Sequence, residues 1–148
     1  MHIYILRMSS SSALNLCNCF AVRQAARQVT KLYEHHLGKA QLTSAQFSIL
    51  AALAEAGQMT MAELAGALVM ERTTLVRAIK PLQRDGLLKS ASSEADPRLL
   101  VISLSSAGER KLSQATPLWK KAQEEFESGM GAREAARLRG ALLALAGR

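Results

Sequence analysis

No stretch of this 148-residue chain is long and apolar enough to cross a membrane. The first candidate, His2 to Leu6, is broken by Arg7 and followed by Ser9 to Ser12, which is too short for a signal-peptide core. A cytoplasmic protein with no membrane partner is therefore expected. Cysteine is nearly absent: Cys17 and Cys19 are the two present, and both would be reduced thiols in that compartment. Two residues apart on a helix, they face different sides and are poorly placed to bridge. Catalytic constellations are missing as well. The sequence has no Ser-His-Asp set, no paired carboxylates and no phosphate loop, so no enzyme is expected. Cys17 and Cys19 with His35 or His36 do not close a set of four metal ligands, so neither metal nor cofactor is expected.

What the chain does contain is a foldable amount of apolar residue. Hydrophobic residues make up 49% and charged ones 21%, enough for a packed core and against wholesale disorder. Aromatics contribute 4%, and the buried stripes are correspondingly aliphatic. The length suits one domain, or a compact module with extra helices for a partner chain. Nineteen Lys and Arg face 12 Asp and Glu, and a net charge of +7 favours polyanionic partners such as nucleic acid.

Helical periodicity runs through most of the chain. From Ala13 to Leu37, residues Cys17, Phe20, Ala21, Gln24, Ala25, Val29, Leu32, His36 and Leu37 recur mostly at steps of three and four, and Arg23, Arg27, Lys31 and Glu34 take the other face. Gly38 is a stop, and Thr43 or Ser44 caps a second helix burying Phe47, Leu50 and Leu53 and ending near Gly57. Thr60-Met61-Ala62-Glu63 is a capping-box pattern that opens a short helix burying Met61, Leu64, Ala65 and Leu68.

After a tight connection at Val69 and Met70, Glu71 to Arg84 predicts a helix with two contrasting sides. Leu75, Ile79 and Leu82 share one; Thr73, Arg77, Lys80 and Arg84 fall opposite. A capped helix, a tight turn and a helix of this kind form a helix-turn-helix, whose second helix enters the major groove. Pro81 should kink or loosen its final turn. Asp85-Gly86 then ends the helix, and Leu87 and Leu88 begin a strand. Ser92 to Pro97 is a polar turn, and Leu100, Ile102 and Leu104 alternate with Val101 and Ser103 as in a half-buried strand. Ser105 or Ser106 caps another helix. The expected fold is mainly α with a small two- or three-stranded β wing, a winged helix-turn-helix flanked by N- and C-terminal helices.

Taken together, Met61 to Ala65, Glu71 to Arg77, Asp85-Gly86-Leu87, Asp96-Pro97-Arg98, Val101 to Ser105 and Gly108 resemble the multiple-antibiotic-resistance repressor (MarR) family of winged-helix regulators. The resemblance extends to Leu42-Thr43, to Gln46-Phe47 and to the terminal helices. It implies that Arg98 is a wing-tip arginine directed to the minor groove and oriented by Asp96, and that Arg72, Thr73, Thr74 and Arg77 meet base edges and phosphates of double-stranded DNA. Lys80 and Arg84, further along, would meet the backbone. Arginine suits a narrow electronegative groove and pairs bidentately with guanine.

The same resemblance implies a homodimer on a palindromic operator, built by residues 13–40 and 105–148 around a DNA-binding region at 41–104, with 1–12 a flexible tail. The stripes Leu112, Ala115, Trp119, Ala122, Phe126, Met130 and Leu138, Leu142, Leu145 supply apolar faces for it. It also implies release from DNA by a small aromatic ligand, with Arg23, Tyr33, His36 and Phe47 the candidate lining. Cys19-Phe20 and Tyr33 are similar to the family's hydroperoxide-sensing branch, although Arg23 and Ser44 stand at that branch's other tyrosine positions. A redox-sensing repressor using Cys19 or Cys17 is thus the alternative, with Arg23 one turn away to stabilise a thiolate. Against it, both cysteines read as residues packed in a helix interface. A non-specific architectural DNA binder explains the charge but not the order of cap, helix and wing.

Overall fold

A computed structural model describes residues 14–148. The run His2 to Leu6 and the tail at 1–12 lie outside the described residues. The first long helix, α1, spans Asn18–Leu37. The helix that periodicity predicts from Ala13 is interrupted here: Leu14 and Asn15 are helical, and Cys17 then adopts extended backbone and serves as the N-cap of α1, its Sγ accepting from the Phe20 N–H at 3.4 Å. A 3₁₀ turn, Gly38–Ala40, leads to α2 at Ser44–Ala56. Here Thr43 and Gln46 form a capping box: the Gln46 N–H donates to Thr43 Oγ1 at 3.1 Å, and the Thr43 N–H donates to Gln46 Oε1 at 3.0 Å. Gly57, at φ +80°, closes that helix.

A two-residue strand, β1 (Met59–Thr60), runs directly into α3 (Met61–Leu68). The helix α4 (Arg72–Arg84) follows, then β2 (Leu88–Ser92), β3 (Leu100–Leu104), the long α5 (Ser106–Met130) and α6 (Ala132–Leu145). The strands form an antiparallel sheet in the order β1-β3-β2, so the wing has three strands at its root and two beyond it. Leu88 pairs with Leu104 and Ser92 with Leu100, while β1 ends with Thr60 opposite Val101.

That register corrects the expected alternation in β3. Val101 is buried and Leu100 exposed. Flanked by β1 and β2, Val101 belongs to the covered root; Leu100 lies one rung past the end of β1.

The core gathers Leu37, Leu42, Ile49, Leu50, Leu53 and Leu64 with Leu75, Ile79, Leu82, Ile102 and Leu104. Among the described residues, no polar or charged side chain is buried. Fully burying a side chain of this size contributes on the order of 1.5–3 kcal/mol, so the aliphatic residues of α2 to β3 hold the lobe together. The outer helices differ. In α1, Ala21, Gln24 and Ala25 are exposed, and in α6 only Ala135 is buried. Cys17 and Cys19 are both exposed, so within the chain they pack no interface. No described helix is long and apolar enough to cross a membrane.

Candidate nucleic-acid interface

The interface begins with the cap of α3. The Thr60 N–H donates to Glu63 Oε2 at 2.9 Å and the Glu63 N–H to Thr60 Oγ1 at 3.2 Å, which fixes where α3 starts. It ends at Val69, whose left-handed backbone (φ 51°, ψ 46°) turns the chain sharply into α4. A β-branched residue is strained there. Leu75, Ile79 and Leu82 of α4 are buried. Arg72, Thr73, Thr74, Arg77, Lys80 and Arg84 are all exposed on the remaining surface. Among the described ion pairs none involves Arg72, Arg77 or Lys80, whereas Arg84 Nε donates to Asp85 Oδ1 at 3.1 Å.

Pro81 does not loosen the last turn of α4. The carbonyl of Pro81 accepts from Asp85, that of Gln83 from Gly86 and that of Leu82 from Leu87, at 3.0, 3.0 and 2.9 Å. This is a Schellman closure with Gly86 at φ +69°, and it satisfies the carbonyls that a frayed end would leave open.

At the wing tip, Asp96 grips the residue two positions on. Its Oδ1 accepts from the Arg98 N–H and Nε, each at 3.1 Å, and its Oδ2 from Nη2 at 3.2 Å. These bonds hold the Asp96 carboxyl below the usual carboxylate range, the side-chain bond contributing most. The Arg98 side chain is nevertheless 89% exposed, so the carboxylate orients the guanidinium without covering it.

A junction that the sequence did not reveal joins this lobe to α5. Ser105 is the N-cap of α5, its Oγ accepting from the Gly108 N–H at 3.1 Å. The same hydroxyl donates to the Gly86 carbonyl at 2.6 Å, and the Ser105 N–H donates to the Leu87 carbonyl at 3.0 Å. The end of α4 is thereby stitched to the start of α5. The Ser-x-x-Gly spacing signals a cap, but nothing in it names Gly86 as the partner.

Of the four candidate ligand residues, two come together. Tyr33 and Phe47 line an open cleft of about 670 Å³ between α1, α2, α3 and α5, with Met59, Leu68, Trp119 and Arg148. Phe47 stacks on Trp119, ring centroids 6.1 Å apart. The Tyr33 hydroxyl donates to Gln123 Oε1, and its pKa is raised chiefly by burial and then by Glu127. His36 and Arg23 are not part of this lining. His36 Nε2 instead meets Glu125 Oε2 at 2.5 Å, linking α1 to α5. Among the described residues, no cluster of three or more His, Cys, Asp or Glu could hold a metal.

A capped helix, a strained turn, a two-sided second helix and a twin-stranded wing define a winged helix-turn-helix protein. Residues 42–100 match the model of the MarR family. The chain is 37% identical to the Mycobacterium tuberculosis transcriptional regulator MosR in a structure solved with DNA, with a TM-score of 0.70 over 87% of this chain and 98% of that one. It is 28% identical to the Escherichia coli transcriptional regulator HosA over 76% of this chain and 82% of HosA. An organic hydroperoxide resistance transcriptional regulator of Bacillus subtilis is 31% identical over 61% of each chain. The chain belongs to the MarR family and is a transcriptional regulator of that family.

Proposed function

We propose that the protein is a sequence-specific repressor that binds double-stranded DNA as a homodimer on a palindromic operator in the cytoplasm. The observation that carries this is the pairing, on one lobe, of an outward row on α4 with an arginine held outward on the wing. Arg72, Thr73, Thr74 and Arg77 read the major groove, Lys80 and Arg84 meet phosphates, and Arg98, aimed by Asp96, enters the minor groove. The lobe spans 41–104. Residues 13–40 and 105–148 form the dimer, and the exposed Val22, Met130, Leu138, Leu142, Leu143 and Leu145 are the apolar surface that a second copy covers.

A gel-shift titration against DNA upstream of the protein's own gene tests this. Retardation that resists unrelated competitor DNA is the expected result. Retardation abolished equally by any duplex would instead make the protein a non-specific architectural binder.

The cleft beside Tyr33 and Phe47 is the site for a small aromatic effector whose binding releases the operator. A thermal-shift screen with aromatic acids and their thioesters should find stabilising compounds. The exposure of both thiols favours a second trigger, and the name of the Bacillus relative points the same way. An organic hydroperoxide would oxidise the Cys19 or Cys17 thiol to a sulfenic acid and leave as the alcohol. Hydroperoxide-driven release that persists in Cys19→Ser would remove Cys19 from that role.

A further inference from the structure

The bulky apolar side chains exposed in the described chain fall into two groups. Those of α1 and its approach, the end of α5, and α6 are accounted for by the proposed dimer. Val69, Leu99 and Leu100 are not: they lie in the DNA-binding lobe. The two leucines stand together at the wing tip, 48% and 61% exposed. We propose that Leu99 and Leu100 form an apolar DNA contact, pressing on the deoxyribose wall of the minor groove beside the Arg98 guanidinium. This rests on the DNA-binding reading above.

Geometry is the first support. The Leu99 N–H donates to the Asp96 carbonyl at 3.0 Å, and the Leu99 carbonyl accepts from the Ser93 N–H at 2.8 Å. The turn that aims Arg98 therefore also fixes Leu99. Leu100 opens β3 and Leu99 is the bend residue just before it, so the two exposed leucines stand next to each other where the wing tip meets the ribbon.

Charge is the second. From Leu88 to Leu104 the cations Lys89 and Arg98 are offset by the anions Glu94 and Asp96, leaving no net charge. Attraction to phosphate can do little for such a wing. Of the other tip residues, Ser92, Ser93 and Ala95 are small, Glu94 and Asp96 are charged and Pro97 adds one exposed ring, so Leu99 and Leu100 are the two large exposed apolar side chains there.

Coverage is the third. β1 stops opposite Val101, so no third strand reaches Leu100. Sugar C–H groups offer an apolar surface of matching kind, and minor-groove proteins use leucine as an apolar contact.

The test compares the full-length protein with a Leu99→Ser, Leu100→Ser double variant and with Arg98→Ala. Each is titrated, across a series of salt concentrations, against a fluorescent duplex from the DNA upstream of the gene. Serine at both positions should weaken binding roughly tenfold, as expected for apolar area left in water, without altering the slope of log affinity against log salt. Arg98→Ala, which removes a cation from the groove, should weaken binding and lower that slope. Prebound netropsin, which fills A·T minor grooves, should erase the difference between the wild type and the double variant.

Wild-type protein that fails to bind the duplex would overturn the DNA-binding reading. Wild type that binds while the double variant binds equally well would overturn this inference alone. A changed salt slope, or a difference that survives netropsin, would also overturn it. Thermal midpoints establish that the variants are folded, and Leu100→Thr, which keeps strand propensity, replaces the double variant if that one does not fold.

Discussion

The carbonyl oxygen of Leu87 lies 2.1 Å from where a Cβ on Gly108 would stand. No side chain fits there, and the obstacle is backbone, which cannot rotate aside. The first turn of α5 can approach the end of the helix-turn-helix only because residue 108 is glycine. Gly108→Ala should therefore destabilise the protein by about 2 kcal/mol or more through forced displacement. On helix propensity alone the same change would stabilise by about 1 kcal/mol. Urea unfolding reads the sign directly.

Val69 should respond in the opposite direction. Its left-handed backbone suits asparagine far better than a β-branched residue. Val69→Asn is expected to raise stability by about 0.5–1 kcal/mol, because its 65% exposed side chain gives up little packing. A lower denaturation midpoint would mean that the valine is held by contacts beyond its own turn.

The Asp96 carboxyl gives the wing a pH dependence whose sign follows from its lowered value. A depressed folded pKa means that the Arg98 bonds are fully present above the ordinary carboxylate range. They are lost as the pH falls through the lowered value. A side-chain NMR titration of Asp96 should place its midpoint below that of an unpaired aspartate. At neutral pH, Asp96→Asn should imitate the acid state and weaken DNA binding with the thermal midpoint nearly unchanged.

For the dimer, the exposed leucines of α6 are the place to intervene. Leu138→Glu with Leu142→Glu puts two carboxylates into the surface proposed to meet a second copy. Light scattering should then report a monomer where the wild type gives the mass of the proposed dimer, and operator affinity should fall at least tenfold, since one half-site alone is bound weakly. An unchanged mass would exclude this face from the interface.

Much of the fold was legible because local chemistry signs the helix ends. Thr60 with Glu63, Thr43 as one of two cap candidates, and Gly86 after Asp85 act over a few residues, and each appears in the structure where the sequence suggests it, with Gln46 completing the box at Thr43. The faces of α4 were legible for the same reason. Less visible was anything depending on a distant strand or helix. Val101 and Leu100 exchange their expected environments because of β1, two residues that no pattern marks as a strand. Tyr33 meets Gln123 across 90 residues, and Ser105 meets Gly86 across 19. Cys17 belongs to an apolar periodicity but is used as a cap. Among the candidate ligand residues, Tyr33 and Phe47 share the cleft, while His36 turns to a glutamate that periodicity had not linked to it.

The stitch at Ser105 has a mechanical meaning. With 25 residues, α5 is about 37 Å long, and its near end is tied to the exit of α4 through Gly86 and Leu87. As one rigid rod tied there, it would act as a lever whose short arm is the helix proposed to read DNA. A tilt of roughly 5° over that length moves the far end by about 3 Å. Trp119, midway along it, would move by about half as much, and the end of α4 would turn through the same small angle.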